Sequence, residues 1–86
     1  MKVMFTEEAW ASYVSWADEN NRRVLRWINQ LIRDIQRNGD DGGIGKLELL
    51  RGDLSGFASR RIDQEHRLVY RIRDDMLEII SCRFQY

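Results

Sequence analysis

The sequence predicts an α+β domain in which two N-terminal helices pack on one face of a small antiparallel β-sheet. Two observations support this fold class. Apolar residues recur with the period of a helix through residues 7–37, and in the second half they alternate with polar residues, as in half-buried strands. With 86 residues, 43% of them hydrophobic, the chain suffices for one domain, residues 1–86, with one modest core. The expected element order is βααβββ.

A short strand and two helices are expected first. MKVMF is predicted to be the strand, and Thr6 then caps a helix over TEEAWASYVSWADEN, whose glutamates suit a positive first turn. Asn20-Asn21 interrupts this helix and can cap the next one. The second helix has a continuous apolar stripe, and Arg37-Asn38-Gly39 is a typical helix end. The stripe consists of Val24, Leu25, Ile28, Leu31, Ile32 and Ile35.

The second half of the chain is predicted to form strands joined by short turns. DDGGIG (40–45) is interpreted as a flexible connector, because no Gly-Lys-Ser/Thr sequence follows as it would in a phosphate-binding loop. A turn is expected at RGDLSG and a hairpin turn at Asp74-Asp75. The strands themselves are expected in KLELL, FASRRID, HRLVYRI and MLEIISCRFQY.

The alternation of apolar and polar residues along HRLVYRI predicts which side chains each face of the sheet carries. Leu68, Tyr70 and Ile72 alternate with a set that contains three arginines, so one face packs on the helices and the other carries the arginines. That set is Arg67, Val69, Arg71 and Arg73. A two-residue turn at Asp74-Asp75 places Arg71 opposite Glu78 as a cross-strand ion pair. Other arginines are left for function: Arg60, Arg61, Arg67, Arg73 and Arg83.

Composition limits the classes of function. Fourteen Lys+Arg balance fourteen Asp+Glu, so no overall field attracts nucleic acid. The lone Cys82 fits a reducing cytoplasm, the expected location, and is predicted to be a small apolar strand residue. No apolar run approaches the roughly 18–20 residues of a membrane span, and MKVMFTEEAW lacks the pattern of a signal peptide.

Arginines and carboxylates are the reactive groups that the chain offers in number. The single histidine, His66, and the single cysteine make no metal-ligand cluster, and no serine is flanked as in a nucleophile elbow. Arginine matches phosphate oxygens, and a carboxylate can take a proton from a ribose 2′-hydroxyl. These groups suit a ribonuclease that needs neither a metal nor a cofactor, with cations that stabilise the charge on the phosphate.

The stretch GKLELLRGDLSGFASRRIDQEHRLVYRI and the ending CRFQY resemble the YoeB (Txe) family of bacterial toxins in the RelE superfamily. EHRLVY begins six residues after the start of SRRI, a specific signature. The resemblance implies the RelE-like toxin fold and a toxin that enters the ribosomal A site and cuts mRNA without a metal. It also implies a cognate YefM/Axe-like antitoxin, homodimers, and contact with operator DNA only through the antitoxin.

The resemblance also assigns roles to residues of this chain. Glu48 matches the general base and Arg67 the arginine that stabilises the phosphate. Tyr86 matches the C-terminal tyrosine that helps to order the site and the substrate. The residues expected to bind RNA are Lys46, Arg61, Arg67 and Arg83.

Each of these residues also has a plainer interpretation. Glu48 alone would be a surface carboxylate on a strand. Arg61 and Arg67 alone would form salt bridges with Asp63 or Glu65. His66 is expected to act in packing or hydrogen bonding.

The chain departs from the family pattern at its C-terminal end. The family ends in His-Tyr, whereas this chain ends in Gln85-Tyr86. The histidine would be the general acid, and a glutamine amide has no proton to give. Its loss typically slows such a reaction by about 10²–10⁴-fold. Leu47 and Leu49 also replace two family prolines, so the strand that carries Glu48 is expected to be held less rigidly.

Three outcomes follow from the Gln85 departure. Tyr86, Lys46 or a water substitutes as the proton donor, or the protein cleaves slowly. In the third, the chain is a weak or inactive toxin homologue that acts as antitoxin-binding partner and operon co-repressor. An unrelated α+β binding module is the remaining alternative.

The position of Gln85 poses a problem of strand register. With a two-residue turn, Arg67 shares a face with Cys82 and Tyr86 and not with Gln85. For Gln85 to reach the same phosphate, the turn must contain an odd number of residues or a β-bulge must reverse the tail. The sequence therefore predicts one of these two features.

Overall fold

A computed structural model describes residues 1–41 and 43–83 of the protein. Seven helices and strands follow in the order βααββββ, with short 3-10 turns at Gly39–Asp41 and Gly52–Leu54. Within the described residues, no helix combines the length and the apolarity that crossing a membrane requires. The elements are β1 (Lys2–Phe5), α1 (Glu7–Asp18), α2 (Arg22–Asn38), β2 (Glu48–Leu49), β3 (Ala58–Arg61), β4 (Arg67–Arg73) and β5 (Met76–Ser81).

Both helices begin at the predicted caps. The hydroxyl of Thr6 accepts a hydrogen bond from the Ala9 N–H at 3.1 Å, and the side chain of Asn21 accepts one from the Val24 N–H at 3.3 Å. These side chains satisfy N–H groups that a first helical turn leaves without a backbone partner. Helix α2 ends at Gly39, whose φ of 60° lies in the left-handed region. The predicted helices are therefore confirmed.

The predicted α+β class is confirmed, but the sheet differs from the expected one in two respects. Its strand order is β1-β5-β4-β3-β2, and β1 runs parallel to β5, so the sheet is mixed rather than wholly antiparallel. Among the described residues it also has five strands, one more than the order βααβββ, because KLELL, one of the segments expected to be a strand, forms the two-residue strand β2. Short turns dictate antiparallel pairing only between strands that follow each other, and β1 and β5 are far apart in sequence.

The core lies between the two helices and one face of the sheet. Leu68 and Tyr70 of β4 are fully buried on this face, as predicted from their alternation. Cys82, just beyond β5, is also fully buried, and its thiol lies 3.6 Å from the Ala9 carbonyl oxygen. The core residues are Ala9, Trp16, Ile28, Leu31, Ile32, Ile35, Ala58, Ile62, Leu68, Tyr70, Leu77, Ile79 and Cys82.

The β4–β5 hairpin contains the predicted bulge. Its turn has two residues, Asp74 and Asp75, both at positive φ. Tyr70 pairs with Ile79, but Val69 pairs with Ser81, so β5 carries one extra residue there. The shift places Cys82 in the core rather than on the face of Arg67. Gln85 and Tyr86, for which the bulge was predicted, lie outside the described residues.

Candidate functional site

The strand register brings Glu48, Ser59, Arg61 and Arg67 onto one face of the sheet. Glu48 pairs with Ser59, and Arg61 pairs with Arg67. Side chains at paired positions lie on the same face, and the face alternates along each strand. Because Leu68 and Tyr70 face the helices, this set lies on the opposite face, against which no helix of the described residues packs.

Arg67 is the central side chain of this set. It is 9% exposed, and its Nε donates a hydrogen bond to the Ser59 hydroxyl at 2.8 Å. Its Nη2 donates to the Lys46 carbonyl oxygen at 3.3 Å and lies 3.9 Å from Oε1 of Glu48. The Glu48 side chain is 49% exposed. A carboxylate open to solvent thus lies beside a guanidinium that three strands and a loop hold in place.

This arrangement also shows which carboxylate pairs with Arg67. The expected alternative was a salt bridge with Asp63 or Glu65. Asp63 instead accepts hydrogen bonds from the N–H groups of Glu65 and His66, at 2.8 and 2.7 Å, and so caps the β3–β4 turn. The ion-pair partner of Arg67 is Glu48.

The structure gives Lys46 and Arg61 places at the edge of this site. Lys46 contributes its carbonyl oxygen to Arg67, and its side chain is exposed. Arg61 is exposed directly across the β3–β4 pair from Arg67, and its carbonyl oxygen accepts a hydrogen bond from the Trp27 indole at 3.0 Å. Both side chains are exposed beside Arg67, and their roles in RNA binding stay predictions.

Arg83 is held at a different place, against helix α1. Its guanidinium donates to the Ser15 hydroxyl at 2.8 Å and to Glu19 at 3.0 Å, and it lies over the Trp16 ring at 4.0 Å. The hydrogen bond from Arg83 lowers the pKa of Glu19. Arg83 is therefore anchored to α1, and its expected contact with RNA stays a prediction.

His66 has the packing role that was expected of it. Its imidazole lies edge-on to the Trp16 ring, with 4.9 Å between the ring centroids. The residue is 7% exposed. Within residues 1–41 and 43–83, the histidine, cysteine and acidic side chains form no group of three that could hold a metal ion.

A comparison with protein families accounts for this combination of fold and side chains. Residues 5–86 match the family described as the YoeB-like toxin of bacterial type II toxin–antitoxin systems. The chain belongs to this family. The resemblance found in the SRRI and EHRLVY motifs is thereby confirmed.

Full-length relatives support the assignment to the YoeB family. Toxin YoeB of Streptomyces coelicolor is 51% identical over 86 residues, which is 100% of each chain. Toxin YoeB of Synechocystis sp. is 54% identical over 86 residues, 100% of this chain and 98% of the relative. The similarity thus extends well beyond the motifs.

Solved structures of YoeB proteins share the fold of this chain. A YoeB/ParE toxin from Agrobacterium tumefaciens superposes with a TM-score of 0.93 at 43% identity, covering 100% of both chains. A YoeB–YefM complex from Staphylococcus aureus superposes with a TM-score of 0.89 at 41% identity, covering 100% of this chain and 98% of the other. A YoeB dimer from Staphylococcus aureus gives 0.89 at 40% identity, with the same coverage.

Two catalytic candidates from the sequence lie outside the described residues of this YoeB-family toxin. Gln85 and Tyr86 belong to the final three residues, for which no placement is described. Of the four catalytic candidates, the structure therefore places Glu48 and Arg67, and it brings these two together.

Two of the arginines that the sequence left for function, Arg60 and Arg73, form ion pairs within the protein. Arg73 lies 3.1 Å from Oε1 of Glu78, while Arg71 pairs with Oε2 of Glu78 at 3.1 Å, as predicted. Arg60 is 0% exposed and faces the helices, because it pairs with Leu68. In FASRRID, Arg60 lies two residues from both Ala58 and Ile62 and so shares their face of the strand. This spacing is the sequence signal that indicates the burial of Arg60.

Proposed function

We propose that this YoeB-family toxin is an endoribonuclease that cuts messenger RNA on the ribosome without a metal ion. The observation that carries the proposal is the approach of Glu48 Oε1 to Arg67 Nη2, 3.9 Å apart on the helix-free face of the sheet. A general base and a phosphate-binding cation are the minimum set for this reaction.

In the proposed reaction, Glu48 takes the proton of a ribose 2′-hydroxyl. The 2′-oxygen attacks the adjacent phosphorus, and the bond from phosphorus to the 5′-oxygen breaks. The products are a 2′,3′-cyclic phosphate and a 5′-hydroxyl, once the leaving oxygen has received a proton. Arg67 and Arg61 bind the phosphate oxygens, whose negative charge increases in the transition state.

The contacts of Arg67 support its part in this mechanism. Its Nε and Nη2 atoms donate to the Ser59 hydroxyl and the Lys46 carbonyl oxygen. A guanidinium that is already oriented needs little rearrangement when charge develops on the phosphate.

The proton donor to the leaving oxygen is the weak point of the proposed enzyme. Gln85 stands where the family has histidine, and an amide can donate hydrogen bonds but cannot release a proton at physiological pH. Tyr86, Lys46 or water then supplies the proton less effectively. We therefore propose that cleavage is slower than in toxins that end in His-Tyr.

The proposed partners are a cognate YefM-like antitoxin, a second copy of the toxin, and the ribosome with its message in the A site. The solved YoeB–YefM complex and the YoeB dimer from Staphylococcus aureus support the first two for this chain. Operator DNA is proposed to be contacted only through the antitoxin, in line with the balanced charge of the chain.

The decisive experiment adds the purified toxin to a cell-free translation reaction and maps new 5′ ends on the message. Glu48→Ala and Arg67→Ala are each expected to lower the cleavage rate by at least about 100-fold. Glu65→Ala, which removes an exposed carboxylate away from Arg67, serves as the control and is expected to cut normally.

The Gln85 substitution also supports a second candidate function, that of a non-catalytic toxin homologue that binds the antitoxin and acts as a co-repressor. This candidate predicts no cuts by the unmodified protein. It further predicts that operator binding by the antitoxin is enhanced by the toxin and is unaffected by Glu48→Ala. Ribosome-dependent cuts that require Glu48 would exclude it.

A further inference from the structure

The backbone that leads from α2 to Glu48 is held by a buried arginine. Arg60 Nη2 donates a hydrogen bond to the Gly39 carbonyl oxygen at 3.0 Å, and Nη1 donates to the Ile44 carbonyl oxygen at 2.8 Å. These two carbonyls flank the stretch between α2 and β2. One guanidinium therefore fixes both sides of this connector, which continues directly into Lys46 and Glu48.

Two further side chains join Arg60 to the same region. Asp34 of α2 forms an ion pair with Arg60 at 2.9 Å. The Tyr70 hydroxyl accepts a hydrogen bond from Arg60 Nε at 3.2 Å and donates one to Asp40 at 2.8 Å. The sheet, the end of α2 and the connector thus share one hydrogen-bonded network.

Close packing fixes the connector again just before Glu48. Gly45 has a φ of +70°, and a Cβ built there would lie 2.8 Å from Cδ2 of Leu31 and 3.3 Å from Cβ of Arg60. A side chain at position 45 would overlap Leu31 and crowd Arg60. One residue later, the Lys46 carbonyl oxygen accepts its hydrogen bond from Arg67.

The choice of arginine at this position needs an explanation beyond stability. Burying a guanidinium and a carboxylate carries a desolvation penalty, and well-packed apolar residues of similar size often serve stability as well. What apolar residues cannot do is bind two backbone carbonyls at once, which the planar fork of arginine does. Arg60 therefore specifies the position of the connector as well as filling the core.

We propose that Arg60 is a positioning residue that sets the place of Glu48 relative to Arg67 by holding the connector at Gly39 and Ile44. This inference takes the role of Glu48 from the proposed function. That Arg60 holds the connector does not depend on the proposed function. Arg60 itself faces the helices and has no contact with substrate in this scheme.

The test is the double variant Arg60→Met/Asp34→Leu, which replaces the buried ion pair with apolar side chains of similar size. Its urea midpoint is expected to stay near that of the unmodified protein. Amide hydrogen exchange at residues 43–48 is expected to accelerate at least about tenfold, because the connector is released. The kcat of cleavage on programmed ribosomes should fall at least about tenfold with KM unchanged, since a displacement of about 1 Å is sufficient for such a loss.

A matched control is Arg71→Met. Arg71 also pairs with a buried carboxylate, that of Glu78, but it lies on the opposite face of the sheet from Arg60. Neither exchange at residues 43–48 nor kcat should change in this variant. If it changes both as much as the double variant does, the effect is general loosening and the proposal is wrong.

Other outcomes are equally decisive. A folded double variant with normal exchange and normal kcat overturns the proposal. If the double variant does not fold, Tyr70→Phe removes the link between Arg60 and Asp40 without burying a charge, and the same exchange and kcat measurements decide. If the unmodified protein cuts no message, the proposed function fails, whereas hydrogen exchange still decides whether Arg60 holds the connector.

Discussion

Neighbouring arginines of β3 have opposite environments because side chains alternate along a strand. Arg60 pairs with Leu68 and is fully buried, whereas Arg61 pairs with Arg67 and is exposed. An Arg60 side chain in the core requires a carboxylate and backbone carbonyls around it, which α2 and the connector supply. Residue type alone therefore does not tell a phosphate-binding arginine from a structural one.

Gln85→His is expected to raise the cleavage rate at least about tenfold, because it restores a side chain that can give a proton to the leaving oxygen near neutral pH. The measurement is single-turnover cleavage on programmed ribosomes. Gln85→Asn changes the side chain without adding an acid and should leave the rate within about twofold of the unmodified protein. An unchanged rate for Gln85→His would mean that another group donates the proton.

Gly45→Ala is expected to destabilise the protein by about 1–3 kcal/mol, because the added methyl group overlaps Leu31 and the backbone is at positive φ. The matched control is Gly52→Ala. Gly52 has a similar φ of +66° but nothing within 4 Å of the added carbon, so it reports the backbone strain alone. Urea unfolding measures both. Equal losses in the two variants would contradict a tight contact at Gly45.

Among the helices and strands, α1 is attached to the residues that follow β5. The Trp16 indole donates to the Cys82 carbonyl oxygen at 2.9 Å, and Arg83 binds Ser15 and Glu19 of the same helix end. These contacts join positions more than sixty residues apart in the sequence. They fix residues 82 and 83 against the C-terminal end of α1.

The Glu19–Arg83 contact should make stability depend on pH in the acidic range. The pKa of Glu19 is lowered in the folded protein by the hydrogen bond from Arg83. The ion pair therefore stabilises the fold above the ordinary glutamate pKa of 4.5, and this contribution disappears as the pH falls through the lowered value.

A double-mutant cycle with Glu19→Gln and Arg83→Met measures this contribution. The coupling between the two side chains should be favourable at pH 7 and should vanish in strong acid. The cycle removes the separate effect of Arg83 on the Trp16 ring. A coupling that does not change with pH would mean that ionisation of Glu19 is not its source.

Local patterns in the sequence were sufficient to predict most helices, strands and turns. They failed to predict contacts between distant parts of the chain. Both helix caps, the Asp74-Asp75 turn and the Arg71–Glu78 pair depend on neighbours in one helix or one hairpin. The parallel pairing of β1 depends on a remote segment, and so do the partners of Arg60, although the pattern in FASRRID indicates the burial of its side chain. The bulge in β5 was an exception, predicted from the demand that functional residues share a face.

The candidate site was predictable only in part, for a related reason. The motif resemblance selected Glu48 and Arg67, and the register brings them within 3.9 Å. Ser59 and the Lys46 carbonyl oxygen were missed as partners of Arg67, because neither motif nor spacing specifies hydrogen bonds between strands. The hold of Arg60 on the connector was missed because it consists of bonds to backbone carbonyls, which carry no sequence signal.

Two buried acids should limit the stability of the whole protein at alkaline pH. Burial raises the pKa of Cys82 from 9.0 to about 12 and that of Tyr70 from 10.0 to about 12. The unfolded chain releases these protons at lower pH than the folded protein does. These two groups should therefore leave the free energy of unfolding unchanged below about pH 8 and lower it as the pH rises from about 9 towards 12.

Urea unfolding between pH 7 and 11 measures this decline. Tyr70→Phe removes the tyrosine contribution and should flatten the curve above pH 10, where the ordinary phenol begins to ionise. Its stability at pH 7 is lower because two hydrogen bonds are lost, so the slopes and not the absolute values are compared. An identical slope in the variant would assign the decline to other groups.

The place of β5 between β1 and β4 has a consequence for the synthesis of the protein. β5 lies between β1, which is made first, and β4, and Cys82 closes the core against Ala9. A nascent chain that has not yet released residues 76–83 from the exit tunnel lacks the strand on which both its neighbours depend. An unfinished polypeptide therefore cannot complete the five-stranded sheet, and we expect the fully folded toxin only after these residues have emerged.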